Sequence, residues 1–541
     1  MMGKKVLAAK SGMAACPNAA AGGGIGAKNV KDAKSFLTGL TGFTGLREAS
    51  VKPAKTKPSG VAWIGDIPDG WEVGKLGSLY THRNEKVSDK DYPPLSVTMK
   101  GIVPQLATAA KSDDGDNRKL VRKGDFAINS RSDRRGSCGI SEFDGSVSLI
   151  NTILTPRGKM NPVYYNWLFH TEAFADEFYK WGHGIVDDLW TTRWSEMKRM
   201  AIVVPPLPVQ RAIAAYLDEK CGAIDAAVAE AKKGIEEYKA WKKSLIFEVV
   251  TGKRRVGFFN AESKCARDEV VGLPERSEPE GLQGAARRRE AESFSTGLTR
   301  FTGLGENLDN PVNPVKTKPS GVSCIGDVPE GWSVKRLKSI FEYRKGLSIT
   351  KADLTQTGIP VISYGQIHSK ENTGTHLQDS LLRFVPLTYL ESDGNCLLKE
   401  DDFVFADTSE DLEGLGNCVY VDRQDKIFAG YHTIIFRPYD DHRSEAIFRY
   451  LAYLFKTDVW RSQFRAKAFG IKVYSLSQRL LNDCRLILPS LSEQQTIADY
   501  LDEKCAAIDA MIAEKEALIA DLEAYKKSLI YETVTGKRRV V

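Results

Sequence analysis

Apolar side chains recur at steps of three, four or seven through Ile213, Leu217, Ile224, Val228, Ile235, Tyr238 and Leu245. The same steps return in Ile497, Leu501, Ile508, Ile512, Ile519, Leu522 and Leu529. Such spacing lays the side chains on one stripe and predicts two long amphipathic helices with a coiled-coil seam. The two stretches are copies of each other. Residues 205–256 and 489–540 align without a gap at an offset of 284, with 32 of 52 positions identical, and repetition of this kind fixes architecture before any single residue is read. The ends agree with the pattern. Pro208 suits a first helical turn, Ser492 with Gln495 has capping-box spacing, and Gly252 and Gly536 suit a left-handed C-cap. A helix with an apolar stripe must bury it, and the partner of matching length is the other copy, so antiparallel packing of the two is expected.

The segment before each helix is also repeated, more loosely. Lys55–Leu76 (KTKPSGVAWIGDIPDGWEVGKL) returns as Lys316–Leu337 at an offset of 261, with Cys324 where the first copy has Trp63. Further on, Arg122–Ile128 matches Lys399–Phe405 as a polar turn entering a strand, and Asn151–Leu154 matches His432–Ile435 as another strand. Helical patterns follow near Tyr164–Phe169 and Ile447–Phe455, and a last apolar strand (Met200–Val204, Arg485–Leu488) leads to the prolines. The expected fold class is α+β: two similar mixed α/β domains joined by two long antiparallel coiled-coil helices in a pseudo-twofold repeat. The expected divisions are an N-terminal segment 1–54, a first domain 55–204, a first helix 205–252, a linker 253–315, a second domain 316–488 and a second helix 489–541.

Composition changes this picture little. A charged fraction of 27% and a hydrophobic fraction of 42% are ordinary for a globular protein, and the net charge of +6 permits nucleic-acid binding without arguing for it. Nine cysteines, scattered and without a CxxC pair, indicate neither a disulfide framework nor a metal site, and Cys221 and Cys505 read as small buried hydrophobes. No run of 18 apolar residues is present. Lys4-Lys5 followed by Met13-Ala14-Ala15-Cys16 faintly suggests an export signal, but Lys10 interrupts its short apolar core. A cytoplasmic location is expected.

Catalytic motifs are scarce. HExxH, GxSxG and P-loop patterns are all missing, and Gly22–Gly26 reads as a linker because no strand precedes it. Asn161-Pro162-Val163-Tyr164 is similar to the loop with which amino-methyltransferases hold a base, yet it reads more simply as an Asn-Pro helix start. Candidate DNA contacts lie where the halves diverge. In the first domain these are Arg131, Arg134 and Arg135 in a Ser/Asn-rich run, and Trp190, Arg193 and Trp194, where Arg stands between two indoles. In the second they are Arg344, Lys345, Gln366, His368, Lys467 and Lys472. Guanidinium forks with short polar side chains suit both phosphate contact and base-edge readout. The plainer reading of each run is a solvated loop.

The openings KxKPSGVxWIGDIPxGW, the PxLxxQxxIAxYLDEKxxxID stretch and the helix ends KKSLI-E-VTGK resemble specificity subunits of type I restriction-modification systems. The likeness covers roughly 55–256 and 316–541. It implies two target recognition domains, each reading one half of a bipartite site on double-stranded DNA, with the helices as spacer and as docking surface for two modification (methyltransferase) subunits. It also implies a non-catalytic chain without a cofactor of its own. S-adenosylmethionine, ATP and Mg are then expected on the modification subunits and the restriction (helicase-nuclease) subunits. Two other readings are a self-sufficient adenine-N6 DNA methyltransferase using Asn161–Tyr164, and a coiled-coil protein adaptor without a DNA role.

Overall fold

The computed structural model describes residues 55–105, 115–131, 134–184, 190–256, 316–444, 446–465 and 474–540. In the first half, β1 (Glu72–Lys75), β2 (Tyr80–Arg83), β3 (Phe126–Asn129), β4 (Cys138–Ile140) and β5 (Asn151–Pro156) precede α1 (Pro162–Phe169) and α2 (Glu172–Lys180). Strand β6 (Ala201–Val204) then leads into the 44-residue helix α3 (Leu207–Val250). The second half repeats the order with β7 (Ser333–Arg336), β8 (Phe341–Lys345), β9 (Phe403–Ala406), β10 (Cys418–Tyr420) and β11 (Thr433–Pro438). Helices α4 (Phe448–Phe455) and α5 (Asp458–Arg465) follow, then β12 (Arg485–Leu488) and the 44-residue α6 (Leu491–Val534).

Beside smaller sheets, each half contains a four-stranded antiparallel sheet with the same strand order, β4-β3-β5-β2 in the first and β10-β9-β11-β8 in the second. Its inner strands read as continuous apolar runs because both faces are covered. Alternation assigns the side chains. Phe126 and Ile128 enter the large core beside α1 and α2, whereas Ala127 enters a smaller core with Leu95, Ile102, Val121 and Ile153. Phe403 and Phe405 divide from Val404 and Ala406 in the same way.

Parity corrects one alignment. Asn151 does not correspond to His432. Leu154 lies opposite Phe126 and Phe436 opposite Phe403, which sets Asn151 level with Thr433, and His432 level with Ile150. A slip of one residue would turn every core side chain of β11 to the wrong face.

The chain divides into two compact units, one comprising Met1–Ile235 with Ala513–Val541, the other Glu236–Ile512. In the first unit, α3 and the end of α6 run antiparallel: Lys526 meets Asp225 at 2.6 Å, and Lys232 meets Glu523 at 3.5 Å. In the second unit the repeat-equivalent pair is Lys242 with Asp509, also at 2.6 Å. The predicted stripe residues Ile213, Leu217, Ile224 and Val228 join the large core of the first unit together with Leu522 and Leu529. Leu245, Ile497, Leu501 and Ile508 join that of the second. Ile235 is buried, and Ile512 and Ile519 are half-buried. The stripe therefore packs on domain side chains as well as helix on helix.

The helix tails close the cores. In the first unit Tyr164 donates its hydroxyl to the Val534 carbonyl at 2.7 Å. In the second Tyr450 does the same to Val250 at 3.1 Å. Beyond each tail a glycine takes a positive φ, +76° at Gly536 against Pro68 and Trp71, and +72° at Gly252 against Pro329 and Trp332. At the other end, Gln210 and Gln494 explain the glutamine of the repeated signature. Each is buried, accepts from a backbone N–H (Asn161 or Ile447, both 2.9 Å) and donates to a proline carbonyl (Pro205 or Pro489). The expected cap at Ser492 is corrected: α6 begins at Leu491, so the cap falls two residues earlier, and the Ser490 hydroxyl accepts from the Glu493 N–H at 3.3 Å. Ser490-x-x-Glu493 has the same capping spacing as the Ser492–Gln495 pair.

Candidate nucleic-acid interface

In the first unit the two divergent runs come together at one end of the sheet. Chain leaving β3 is held by the segment 190–192, because Thr192 N–H donates to the Ser130 carbonyl at 3.0 Å and Arg131 forms a bridge with Thr191. Asn129 turns the chain by accepting from the Arg131 N–H at 3.0 Å, and the Ser130 and Thr152 hydroxyls meet at 2.9 Å. The result is a shallow cleft lined by Asn129, Ser130, Arg131, Arg135, Tyr179 and Trp190, among others. Trp190 stacks on Tyr179 (centroids 5.6 Å apart) and donates its indole N–H to the Tyr179 carbonyl at 2.9 Å. Gly182 is required there, since a Cβ would stand 2.3 Å from the indole nitrogen.

Of the predicted residues, Arg131, Arg135 and Trp190 thus share one site. Arg135 pairs with Asp176 on α2, and Arg134 is exposed on the same loop. Arg193 is exposed at the cap of the short helix Trp194–Met197, and Trp194 stacks on His82 at 5.9 Å. Burial, and secondarily Lys119, pushes the His82 imidazole below its ordinary pKa, which favours a neutral ring under the indole.

The second unit repeats the backbone of this site with other side chains. Leu476 N–H donates to the Asp407 carbonyl at 2.7 Å, and Thr408 pairs with Ser475. Thr408 therefore occupies the place of Arg131, and Tyr474 that of Trp190. His368 lies here as well, its Nε2 at 2.8 Å from the Thr408 carbonyl and its Nδ1 at 3.2 Å from Asn417. Gln366 instead caps its own short helix by accepting from Ser363 N–H at 3.1 Å. Arg344 is paired with Glu342 at 2.6 Å, and Lys345 is exposed at the end of β8. Lys467 and Lys472 lie outside the described residues. Sequence reasoning missed Asp407, Tyr474 and His432, which carry no basic signal and become visible only once the strand register is known.

A conserved device orders the turn before each site. Asp125 accepts from Arg83 at 2.7 Å and from Arg122 N–H at 2.9 Å. Asp402 takes the same position, but its arginine, Arg437, comes from the neighbouring strand, at 2.6 Å and fully buried. Arg344 is the positional counterpart of Arg83, set free for Glu342 by that exchange.

Asn161 is spent on structure, its carboxamide accepting from Val163 and Tyr164 N–H as the N-cap of α1. No helix among the described residues is long and apolar enough to cross a membrane.

Each unit has a sheet of the same strand order, a buried turn and a clamp, while the residues displayed differ, which defines a duplicated scaffold. Residues 329–520 match the family described as the type I restriction modification DNA specificity domain. Among curated proteins the chain is similar to the type I restriction enzyme MjaVIII specificity subunit of Methanocaldococcus jannaschii. The two are 24% identical over 222 residues, or 40% of this chain and 49% of the relative. It is also similar to the EcoKI specificity subunit of Escherichia coli K12, 21% identical over 217 residues, or 39% and 44% of the two chains. The chain spans about half the length of these curated relatives. A chain from a solved structure concerning complex assembly and conformational transition of the type I R-M system shares the fold. Its TM-score is 0.56 at 13% identity, covering 87% of this chain and 99% of that one. These comparisons bear out both the family resemblance carried by the repeated signatures and the α+β class.

Proposed function

We propose that the chain is the DNA sequence-specificity subunit of a type I restriction-modification complex, with each unit reading one half of a bipartite site. The observation that carries this reading is the clamped strand end. Its backbone is the same in both units while Arg131 and Trp190 are exchanged for Thr408 and Tyr474. A fixed frame with exchanged side chains is what two different half-sites require. Under this reading the chain supplies recognition without chemistry. Modification subunits would bring S-adenosylmethionine, restriction subunits ATP and Mg, and the long helices would serve as spacer and docking surface, all in the cytoplasm. The methyltransferase alternative loses its candidate residue, because the Asn161 carboxamide is occupied as a helix cap.

The test replaces residues 71–204 with a foreign recognition domain in cells that express the modification subunits, and sequences the methylome. One half-site should change and the other persist. Alteration of both halves, or of neither, would refute independent reading.

A further inference from the structure

His432 is an exposed residue other than glycine in the left-handed region, with φ +54°. That conformation is unfavourable for a side chain with a Cβ and recurs where a site demands it. It sits where β11 begins, its carbonyl accepting from Asp407 N–H at 3.1 Å. Its Nδ1 stands 3.3 Å from Asp407 Oδ1. Two tyrosines hem the imidazole edge-on, Tyr364 at 5.4 Å and Tyr431 at 6.0 Å between centroids. The fold does not need this pair. At the equivalent point of the first unit, Ser130 N–H donates to the Ile150 carbonyl at 3.3 Å with no such side chains. The backbone bond is kept, and the His–Asp pair is added only in the second unit.

We propose that His432, oriented by Asp407, is a specificity-determining residue of the second unit and reads a base edge in the DNA groove; this rests on the DNA-recognition reading above. In the tautomer that carries its proton on Nδ1, the nitrogen beside the Asp407 carboxylate, Nε2 is an acceptor. An acceptor in the major groove selects an exocyclic amino group, adenine N6 or cytosine N4. The tyrosines restrict the ring to one plane, which gives a single acceptor direction.

The experiment selects duplexes from a randomised pool with the full-length chain and the subunits that co-purify with it. His432→Asn keeps a residue that tolerates positive φ while removing the imidazole. It should relax preference at one position of one half-site by about tenfold and leave the other half-site intact. Asp407→Asn should let the ring take the other tautomer, and shift that same position toward a base that presents an acceptor. Profiles of His432→Asn identical to wild type, or equal loss in both half-sites, would overturn the assignment of His432. A wild-type complex that enriches no motif would overturn the DNA-recognition reading, and this assignment with it.

Discussion

Replacing Gly536 by alanine tests how the tail of α6 closes the first unit. Two costs can be separated. A Cβ at φ +76° is strained by ~1–2 kcal/mol. It would also stand 2.5 Å from Pro68 Cδ, 2.7 Å from Pro68 Cγ and 3.1 Å from Trp71 Cη2. Neither a proline ring nor an indole held at its far edge can yield cheaply, and overpacking of this kind costs about 1–3 kcal/mol. Gly60 supplies the control within the same unit, for it has φ +72° with nothing within 4 Å of its Cβ position. Gly60→Ala should therefore show the backbone term alone, and Gly536→Ala a total of ~2–5 kcal/mol. Denaturant titration gives the totals. Amide exchange then locates the loss, which should fall on residues 513–540 and 63–71 and spare the second unit. Equal destabilisation by the two substitutions would show that the tail does not press on the opening segment.

Asp402→Ala leaves Arg437 buried without its carboxylate and should cost about 3–5 kcal/mol; a loss under 1 kcal/mol would mean that the arginine reaches water. Lys456 is half-buried, and desolvation lowers its ammonium from the usual 10.5 to about 8. The unfolded chain then binds more protons between those values, so stability should rise as pH climbs from 8 to 10.5, by on the order of 1–3 kcal/mol. Lys456→Met should remove that rise in pH-dependent melting, and an unchanged slope would count against the burial. Arg131→Ala should weaken one half-site by ~1–3 kcal/mol and leave the other untouched; binding curves unchanged for both would move recognition away from this cleft.

Much of the architecture was legible because it rests on periodicity. The steps of three and four in Ile213–Leu245 and Ile497–Leu529 gave two long helices, and Gly252 and Gly536 gave their ends. What could not be read was a matter of register and partners. Phe126-Ala127-Ile128 shows no alternation, since both faces are buried, so nothing in composition fixed its alignment or that of β11. The site followed the same division. Arg131, Arg135 and Trp190 announced themselves by residue type, and the structure gathers them. Arg344 carried the same signal, but Arg437 had taken its counterpart's role at Asp402 and left it to Glu342. His432 was hidden because its position depends on a one-residue shift of strand pairing.

The closing of the first unit by Ala513–Val541 has a consequence for synthesis on the ribosome. The second unit is one unbroken stretch of chain, 236–512, and can complete its core as it emerges. The first cannot. Tyr164, Trp71 and their neighbours are made early, yet the carbonyl and glycine that cover them belong to Val534 and Gly536. At ~5–20 residues per second the intervening stretch takes about 14–55 s to translate. For that interval the earlier half of the newborn polypeptide exposes an aromatic-lined surface awaiting its own far end, a natural target for chaperones and for mispairing with another nascent copy.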